Sequence, residues 1–326
     1  MKVECVMRTE IYGTFGPACK SKDILKQMIE VGMTGMRLNL SHTTLIESEE
    51  YIRNYQRAAT EAGVEPQILI DMQGPELRIG KLDEDLVIEN IVQIPAPREV
   101  LDVIEPGDEV LLDDGKILVR VMDAPLQENH FTAEVIRGGV LRSHKSIKVV
   151  GKNISLPPLT KHDIANIKVA KEFGVTALMQ PFVLSGEQLR EVRSVLNENQ
   201  VKHVLIFAKI ENLLGVQNIE DILAEADVII IARGDLGNDM PLWELPRVQK
   251  QIEEACHKAS KPYIVVTQML ASMEYSSGPT RAEVSDIFHA VYHGAWGVMV
   301  TGETAVGKYP VEVIKYLANT AKEAEE

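Results

Sequence analysis

The chain has 326 residues, and 34 Lys and Arg against 48 Asp and Glu give it a net charge of −14 at pH 7. Hydrophobic residues make up 45% of the sequence, enough to build a large core, which excludes disorder as the main state. The acidic balance argues against nucleic acid or an anionic membrane as a partner. It is compatible with a small anionic ligand, because a local cationic pocket can lie inside an acidic protein.

Cysteine usage indicates a reducing compartment. Cys5, Cys19 and Cys256 are few, odd in number and scattered, so they do not form a disulfide framework. The longest apolar runs are far shorter than the ~20 residues that span a bilayer. The N-terminal stretch MKVECVMRTE also lacks the apolar segment of a signal peptide. We therefore expect a cytoplasmic protein without a membrane segment.

Short apolar runs recur along the chain and predict eight strands. They are rich in Val and Ile and are unbroken rather than alternating, as in strands buried on both faces. In chain order they are Glu10–Phe15, Gly35–Leu40, Ile68–Met72, Ala177–Phe182, Val204–Ile210, Val228–Ala232, Ile264–Thr267 and Gly297–Val300.

Amphipathic stretches follow most of these runs and predict helices. Four of them begin after a residue that favours a helix start, namely Ser21, Thr160, Ser185 and Thr280. Eight strands that alternate with helices predict an α/β protein with a (β/α)8 TIM barrel. A doubly wound sheet with a separate β domain is the alternative that this pattern leaves open.

The stretch from 75 to 151 breaks the alternation. Turn signals at Pro106-Gly107 and Gly138-Gly139 separate short β-like runs, and no strong helix pattern occurs. Without these 77 residues the chain has 249 left, close to the ~250 of a typical barrel. We therefore predict a barrel from 1–74 and 152–326, with a small all-β lid domain, 75–151, inserted after strand 3. The predicted β runs are Leu86–Gln93, Glu109–Leu112, Ile117–Val121 and Phe131–Ile136.

Polar residues collect where the predicted barrel strands end, which is where barrel enzymes place their chemistry. Glu211 and Asp235 follow neighbouring strands, and paired carboxylates suit Mg²⁺ that also binds a substrate oxygen and water. Lys209 and Arg37 suit a phosphate or a carboxylate. A second set of oxygen donors, Asn39, Ser41 and Asp71, suits a monovalent cation. Together these groups predict phosphoryl transfer, where catalysis is mostly positioning and charge stabilisation.

Structural roles for the same residues stay open at this point. Lys209 and Glu211 could flank a strand that faces solvent. Arg233 could form a structural ion pair with Asp235, and Asn39 and Ser41 could cap a loop. The joint placement of these groups at strand ends favours the functional interpretation over each of these alternatives.

The sequence resembles pyruvate kinases from Thr9 to Glu326. The motifs that carry the resemblance keep the family's order and spacing, and the inserted β domain falls where the family has its lid. They are TFGPA (Thr14–Ala18), RLNLSH (Arg37–His42), DMQGPELRIG (Asp71–Gly80), LLDDG (Leu111–Gly115), AKIENLLGV (Ala208–Val216), IARGDLG (Ile231–Gly237), VTQMLASM (Val266–Met273), GPTRAEVSD (Gly278–Asp286) and TGETAVGKYP (Thr301–Pro310).

The resemblance implies the conversion of phosphoenolpyruvate and ADP to pyruvate and ATP. It implies that Arg37 and Lys209 flank the moving phosphoryl group and that Lys209 stabilises the enol oxygen. Thr267 would sit near the methylene carbon that takes a proton. Glu211 and Asp235 would hold Mg²⁺, or Mn²⁺, against the substrate carboxylate.

Further contacts are implied in the same way. Backbone N–H groups at Gly234 and Asp235 would bind the substrate carboxylate, with Thr267 and Arg37 close to the substrate. The K⁺ ligands would be Asn39, Ser41, Asp71 and the carbonyl of Met72. The residues that reach the nucleotide would be Arg78, His42, Lys145 and Pro17.

The sequence also departs from the family pattern at Gln73, Pro181, Leu184, Glu47 and Val306, which lie around the expected phosphate and nucleotide contacts. These departures leave two alternatives: a Mg²⁺-dependent enolate-forming lyase or decarboxylase that acts on a 2-oxo acid without nucleotide, and an inactive binding protein. Members of the family normally continue into a further α/β domain. We expect that domain to be absent, which leaves the barrel as the surface for a homo-oligomer.

Overall fold

The computed structural model describes residues 8–41, 43–113, 115–124, 129–152, 154 and 156–326. The chain forms two compact units, of which one comprises the residues up to Gly74 together with Pro158–Glu326. The other unit is Pro75–Pro157. The predicted end of the insertion, residue 151, lies earlier in the chain than this boundary.

A closed barrel of parallel strands forms the centre of the first unit. Its strands follow one another around the barrel in chain order, with the last strand pairing with the first. The predicted (β/α)8 barrel is therefore confirmed, and closure excludes the doubly wound sheet. The strands are β1 (Glu10–Thr14), β2 (Gly35–Asn39), β3 (Gln67–Asp71), β4 (Ala177–Gln180), β5 (Leu205–Ile210), β6 (Val228–Ala232), β7 (Tyr263–Val266) and β8 (Gly297–Met299).

The strand sequences are apolar throughout because both of their faces are buried. Phe207, Ile230 and Met299 belong to a compact apolar cluster formed by residues of the barrel strands. Neighbouring positions such as Ile206 and Ile229 belong instead to the larger core that the helices cover. Successive side chains of a strand point to opposite faces, so one run supplies both layers.

Helices follow the strands and close the outer layer. Thr160 and Thr280 form capping boxes with the residues three positions on, and the Ser21 hydroxyl accepts from the Ile24 N–H at 3.3 Å. Ser185 also precedes a helix but makes no side-chain cap bond. The α-helices of this unit are Lys22–Glu30, Glu49–Ala62, Lys161–Val169, Gly186–Glu198, Leu213–Gln217, Ile219–Glu225, Arg233–Leu236, Leu245–Ala259, Arg281–Tyr292, Gly302–Ala305 and Pro310–Glu325, with 3₁₀ turns at Pro17–Cys19 and Ala271–Glu274.

The inserted unit is built from antiparallel strands around its own core, which includes Phe131 and Val119. A five-stranded sheet has the order Ile147–Val149, Glu109–Leu112, Ile117–Asp123, His130–Arg137 and Ile91–Pro95, and Leu86–Ile88 pairs separately with Gly139–Leu141. The unit also contains the short helix Arg98–Leu101.

One strand prediction in the inserted unit is wrong. The run Leu86–Gln93 is not continuous, because Asn90 adopts a left-handed conformation with φ of 54° and the chain passes from one sheet to the other. Asparagine tolerates this conformation better than most residues. In the parts of the chain that the structure describes, no helix is both long and apolar enough to cross a membrane.

Candidate active site

Strand geometry places four of the predicted site residues at the C-terminal ends of the barrel strands. Lys209 on β5 and Glu211 directly after it follow Phe207 at alternate positions, so they continue the face that carries the compact apolar cluster of the barrel strands. On β3, Asp71 continues the face of Leu69 in the same way. Arg37 lies on β2, which pairs with both β1 and β3.

These four side chains form one buried ionic network. Arg37 donates to Asp71 Oδ2 from Nε at 2.9 Å and from Nη2 at 2.6 Å. Lys209 Nζ lies 3.4 Å from Asp71 Oδ1 and 2.8 Å from Glu211 Oε1. The Lys209 side chain is 15% exposed and that of Glu211 is 2% exposed, so the two do not flank a solvent-facing strand.

The network keeps both Asp71 and Lys209 ionised. Burial acts to raise the pKa of Asp71, but the charges of Lys209 and Arg37 outweigh burial and hold it below its ordinary value. Burial acts to lower the pKa of Lys209, but Asp71 and Glu211 raise it well above its ordinary value. Lys209 therefore stays protonated at neutral pH and serves as a fixed positive charge.

Glu211 is the member of the network whose ionised form is disfavoured. Burial raises its pKa, Lys209 opposes this effect, and the charge of Asp235 adds to the rise. Asp235 itself is exposed and lies in the one-turn helix Arg233–Leu236 after β6. Two carboxylates whose charges repel each other present a site that a cation would stabilise.

The backbone after β4 also contributes to the site, through an N–H donor that the residue types do not indicate. The N–H of Phe182 donates to Glu211 Oε2 at 2.8 Å, and Phe182 has a left-handed φ of 54°. Pro181 is buried beside Gly74, where an added Cβ would lie 2.4 Å from the proline ring. Gly74 also has a φ of 64°, so a glycine is required there on two counts.

The ends of β6 and β7 bring Gly234 and Thr267 together. The N–H of Gly234 donates to Thr267 Oγ1 at 2.9 Å. Arg233 does not pair with Asp235, so that alternative is wrong. Its guanidinium instead binds Asp286 at 2.7 Å, a partner that the sequence did not suggest.

The predicted K⁺ ligands lie at or just after the C-terminal ends of the paired strands β2 and β3. Asn39 is the register partner of Asp71, and the Leu40 N–H donates to the carbonyl of Asp71 at 2.9 Å. Asn39 Oδ1 accepts from the Ser41 N–H at 3.0 Å, and Met72 directly follows β3. Among the residues that the structure describes, no group of three or more His, Cys, Asp or Glu side chains could hold a metal ion.

A cavity of about 690 Å³ opens beside the network. Arg37 belongs to both, and Asn39, Pro17, Glu47 and Val306 also line the cavity. Tyr51 lines it too, and the sequence reasoning missed this residue. The helix Glu49–Ala62 supplies Tyr51, which lies one turn beyond Glu47.

Two other predicted nucleotide residues, Arg78 and Lys145, belong to the inserted unit. In the inserted unit, the Arg78 guanidinium pairs with Glu76 and donates to the carbonyl of His144 at 2.8 Å. Lys145 Nζ lies 2.7 Å from Asp113 Oδ1 and, by hydrogen bonding, lowers the pKa of that carboxyl. His42 lies outside the described residues.

The chain matches the family described as "Pyruvate kinase, barrel domain" over residues 6–314. The chain belongs to the pyruvate kinase family. It is 37% identical to the pyruvate kinase of Geobacillus stearothermophilus over 98% of this chain and 57% of that protein. For the pyruvate kinase of Thermococcus litoralis the identity is 38%, over 98% and 70% of the two chains. For that of Leishmania mexicana it is 36%, over 96% and 66%.

The chain thus spans 57% of the length of the Geobacillus pyruvate kinase. The matched region includes every strand of the barrel and the whole inserted unit. Membership of the pyruvate kinase family therefore agrees with the resemblance that the strand-end motifs carry.

Proposed function

We propose that this member of the pyruvate kinase family transfers the phosphoryl group of phosphoenolpyruvate to ADP, giving pyruvate and ATP. One observation carries the proposal: Arg37 belongs both to the buried network with Asp71 and to the wall of the 690 Å³ cavity. The Arg37 guanidinium would thereby contact both an anion bound at the network and a nucleotide bound in the cavity, which is large enough to hold one.

The network supplies charge where the reaction develops it. An oxygen of the ADP β-phosphate attacks phosphorus, and the bond from phosphorus to the enol oxygen breaks, with its electron pair passing to that oxygen. Lys209 stays protonated and stabilises the enolate. Arg37 binds the oxygens of the moving phosphoryl group, and Asp71 holds its guanidinium through Nε and Nη2.

The enolate then takes a proton at its methylene carbon, which becomes the methyl group of pyruvate. Thr267 is the proposed neighbour of this carbon, with the proton delivered through water. Its hydroxyl accepts from the Gly234 N–H at 2.9 Å, so a substrate carboxylate bound at the backbone of Gly234 and Asp235 would share the Gly234 donor with Thr267. One backbone segment would thus align the carboxylate with the protonated carbon.

The donors fit a divalent ion, Mg²⁺ or Mn²⁺, held by Glu211 and Asp235. Burial and, after it, the charge of Asp235 raise the pKa of Glu211, and a bound cation would oppose both effects by favouring the ionised carboxylate. Mg²⁺ is commonly held by one or two carboxylates, with substrate and water as its other ligands. Such an ion would supply charge neutralisation at the substrate oxygens.

The donors Asn39, Ser41, Asp71 and the carbonyl of Met72 fit K⁺, because they are all oxygens and carry a single negative charge. The pairing of Asn39 with Asp71 across β2 and β3 brings two of them together. K⁺ would add positive charge for the phosphoryl group.

Nucleotide contacts are proposed at Pro17 in the cavity and at Arg78, Lys145 and His42. We also infer a homo-oligomer formed through the barrel, and a cytoplasmic location. Cys19 and Cys256 are free and buried, as expected in a reducing compartment.

The proposal is tested by pyruvate formation from phosphoenolpyruvate and Mg·ADP. Lys209→Met should lower kcat by roughly a thousandfold, since it removes the charge at the enol oxygen. Lys258→Met is the control, because that lysine is exposed and pairs with the exposed Glu220 at 3.1 Å. Full activity in Lys209→Met would contradict the assigned role.

A further inference from the structure

Two successive residues after β7 have a strained backbone. Thr267 has a φ of 72° and Gln268 a φ of 54°. The left-handed region is sterically unfavourable for residues with a Cβ and most of all for a β-branched one such as threonine. Such a residue persists only where its surroundings hold it in that conformation.

The guanidinium of Arg233 holds this segment. Its Nη2 donates to the carbonyl of Thr267 at 2.7 Å, and its Nε donates to the carbonyl of Val266 at 3.3 Å. The Arg233 side chain is only 12% exposed. Two adjacent carbonyls are thus bound by one planar group, which fixes the orientation of the peptide between them.

Asp286 fixes the guanidinium in turn. Arg233 Nη1 donates to its two carboxylate oxygens at 2.9 and 2.7 Å, and Arg233 Nη2 also contacts Met269 Sδ at 2.8 Å. Asp286 comes from the helix Arg281–Tyr292, 53 residues after Arg233. Arg233 and Asp286, which we call the brace, therefore link the ends of β6 and β7 to a helix of the outer layer.

The brace also determines where the Thr267 hydroxyl points. Thr267 Oγ1 accepts from the Gly234 N–H at 2.9 Å and donates to the carbonyl of Val266 at 2.6 Å. If Thr267 relaxed to a negative φ, its carbonyl would leave Arg233 and its side chain would swing away. The hydroxyl position thus depends on a residue that does not touch the expected substrate.

We propose that Arg233 and Asp286 are positioning residues for the proton-transfer step, acting by holding Thr267 in its left-handed conformation. The inference rests on the proposed function. In the forward step a proton passes through water to the methylene carbon of the enolate, whose C=C bond becomes a C–C bond while the oxygen forms the carbonyl. In the reverse step pyruvate loses a methyl proton, and no oxidant or reductant takes part.

The experiment compares Arg233→Lys and Asp286→Asn with a matched control, Arg193→Lys. Arg193 likewise pairs with an aspartate, Asp227, at 2.6 Å and donates to a strand-end carbonyl at 3.2 Å. That pair lies at the N-terminal ends of β5 and β6, away from the site. The readouts are exchange of the pyruvate methyl protons in D₂O with Mg²⁺ and K⁺, kcat and KM for phosphoenolpyruvate, the melting temperature, and a crystal structure of Arg233→Lys.

A misplaced hydroxyl should slow proton exchange and kcat together by roughly 10- to 100-fold, with KM changed by less than about twofold. The control should lose a similar few degrees of melting temperature with both rates within about twofold of wild type. The crystal structure of Arg233→Lys should show Thr267 at a negative φ. Wild-type exchange in Arg233→Lys, or Thr267 still left-handed in it, would overturn the proposal.

The measurements on the wild-type protein distinguish failure of the proposed phosphoryl transfer from failure of the role given to Arg233 and Asp286. If wild-type protein exchanges pyruvate protons but makes no ATP, the proposed function fails and the exchange assay still decides the role of the brace. If wild-type protein does neither, the proposed function fails, and the φ of Thr267 in Arg233→Lys decides whether Arg233 positions that residue.

Discussion

Asp71 is the residue on which the buried network depends. Its carboxylate accepts from Arg37 at 2.6 and 2.9 Å and lies 3.4 Å from Lys209, while its side chain is 4% exposed. Asp71→Asn keeps the shape of the side chain but removes the charge and places an N–H₂ group beside a cation. Arg37 would lose its buried anion, and Lys209 would keep only Glu211.

Removing one partner of a buried ion pair costs about 3–5 kcal/mol, because the remaining charge stays desolvated. Domains of this size class lose roughly 2–4 °C per kcal/mol, so the melting temperature should fall by roughly 6–20 °C. Asp227→Asn is the matched control. Its side chain is 33% exposed and pairs with Arg193, so the loss should be nearer 1 kcal/mol.

The assay is thermal unfolding followed by circular dichroism between pH 3 and pH 8. The pKa of Asp71 in the folded protein lies below its ordinary value of 3.8. Its stabilising contribution is therefore fully present above about pH 4 and is lost as the pH falls through the folded pKa. The gap between wild type and Asp71→Asn should be constant near neutrality and should close below pH 4. A loss no larger than that of Asp227→Asn would refute the reasoning.

Two further predictions concern ligands. Mg²⁺ should raise the melting temperature of the wild-type protein but not of Glu211→Gln, since ligand binding to the folded state stabilises it; an equal rise in both would remove Glu211 from the metal site. Tyr51→Ala should weaken Mg·ADP binding several-fold in calorimetry, because Tyr51 lines the cavity. The KM for phosphoenolpyruvate should stay unchanged. Unaltered ADP affinity would exclude Tyr51 from the nucleotide contacts.

Sequence patterns predicted the barrel because its strands carry a strong local signal. Runs such as Val228–Ala232 are buried at every position, and Thr160 and Thr280 mark helix starts with capping boxes. The convergence of Arg37 and Lys209 could also be predicted, since the carboxyl ends of parallel barrel strands meet at one face.

Other features have no local signal. The pairing of Arg233 with Asp286 spans 53 residues and depends on how a helix packs on the barrel. The bond from the Phe182 N–H to Glu211 uses a backbone donor that every residue but proline has. Tyr51 lines the cavity because of its position on the helix Glu49–Ala62, and it belongs to no recognisable motif.

The central claim is phosphoryl transfer from phosphoenolpyruvate to ADP. The most direct test is ³¹P NMR of the wild-type protein with phosphoenolpyruvate, Mg·ADP and either K⁺ or Na⁺. We expect the phosphoenolpyruvate signal to fall as the γ-phosphate signal of ATP rises by the same amount, and faster in K⁺. Absence of ATP from a folded, Mg²⁺-binding sample, or release of inorganic phosphate in its place, would contradict the proposed reaction.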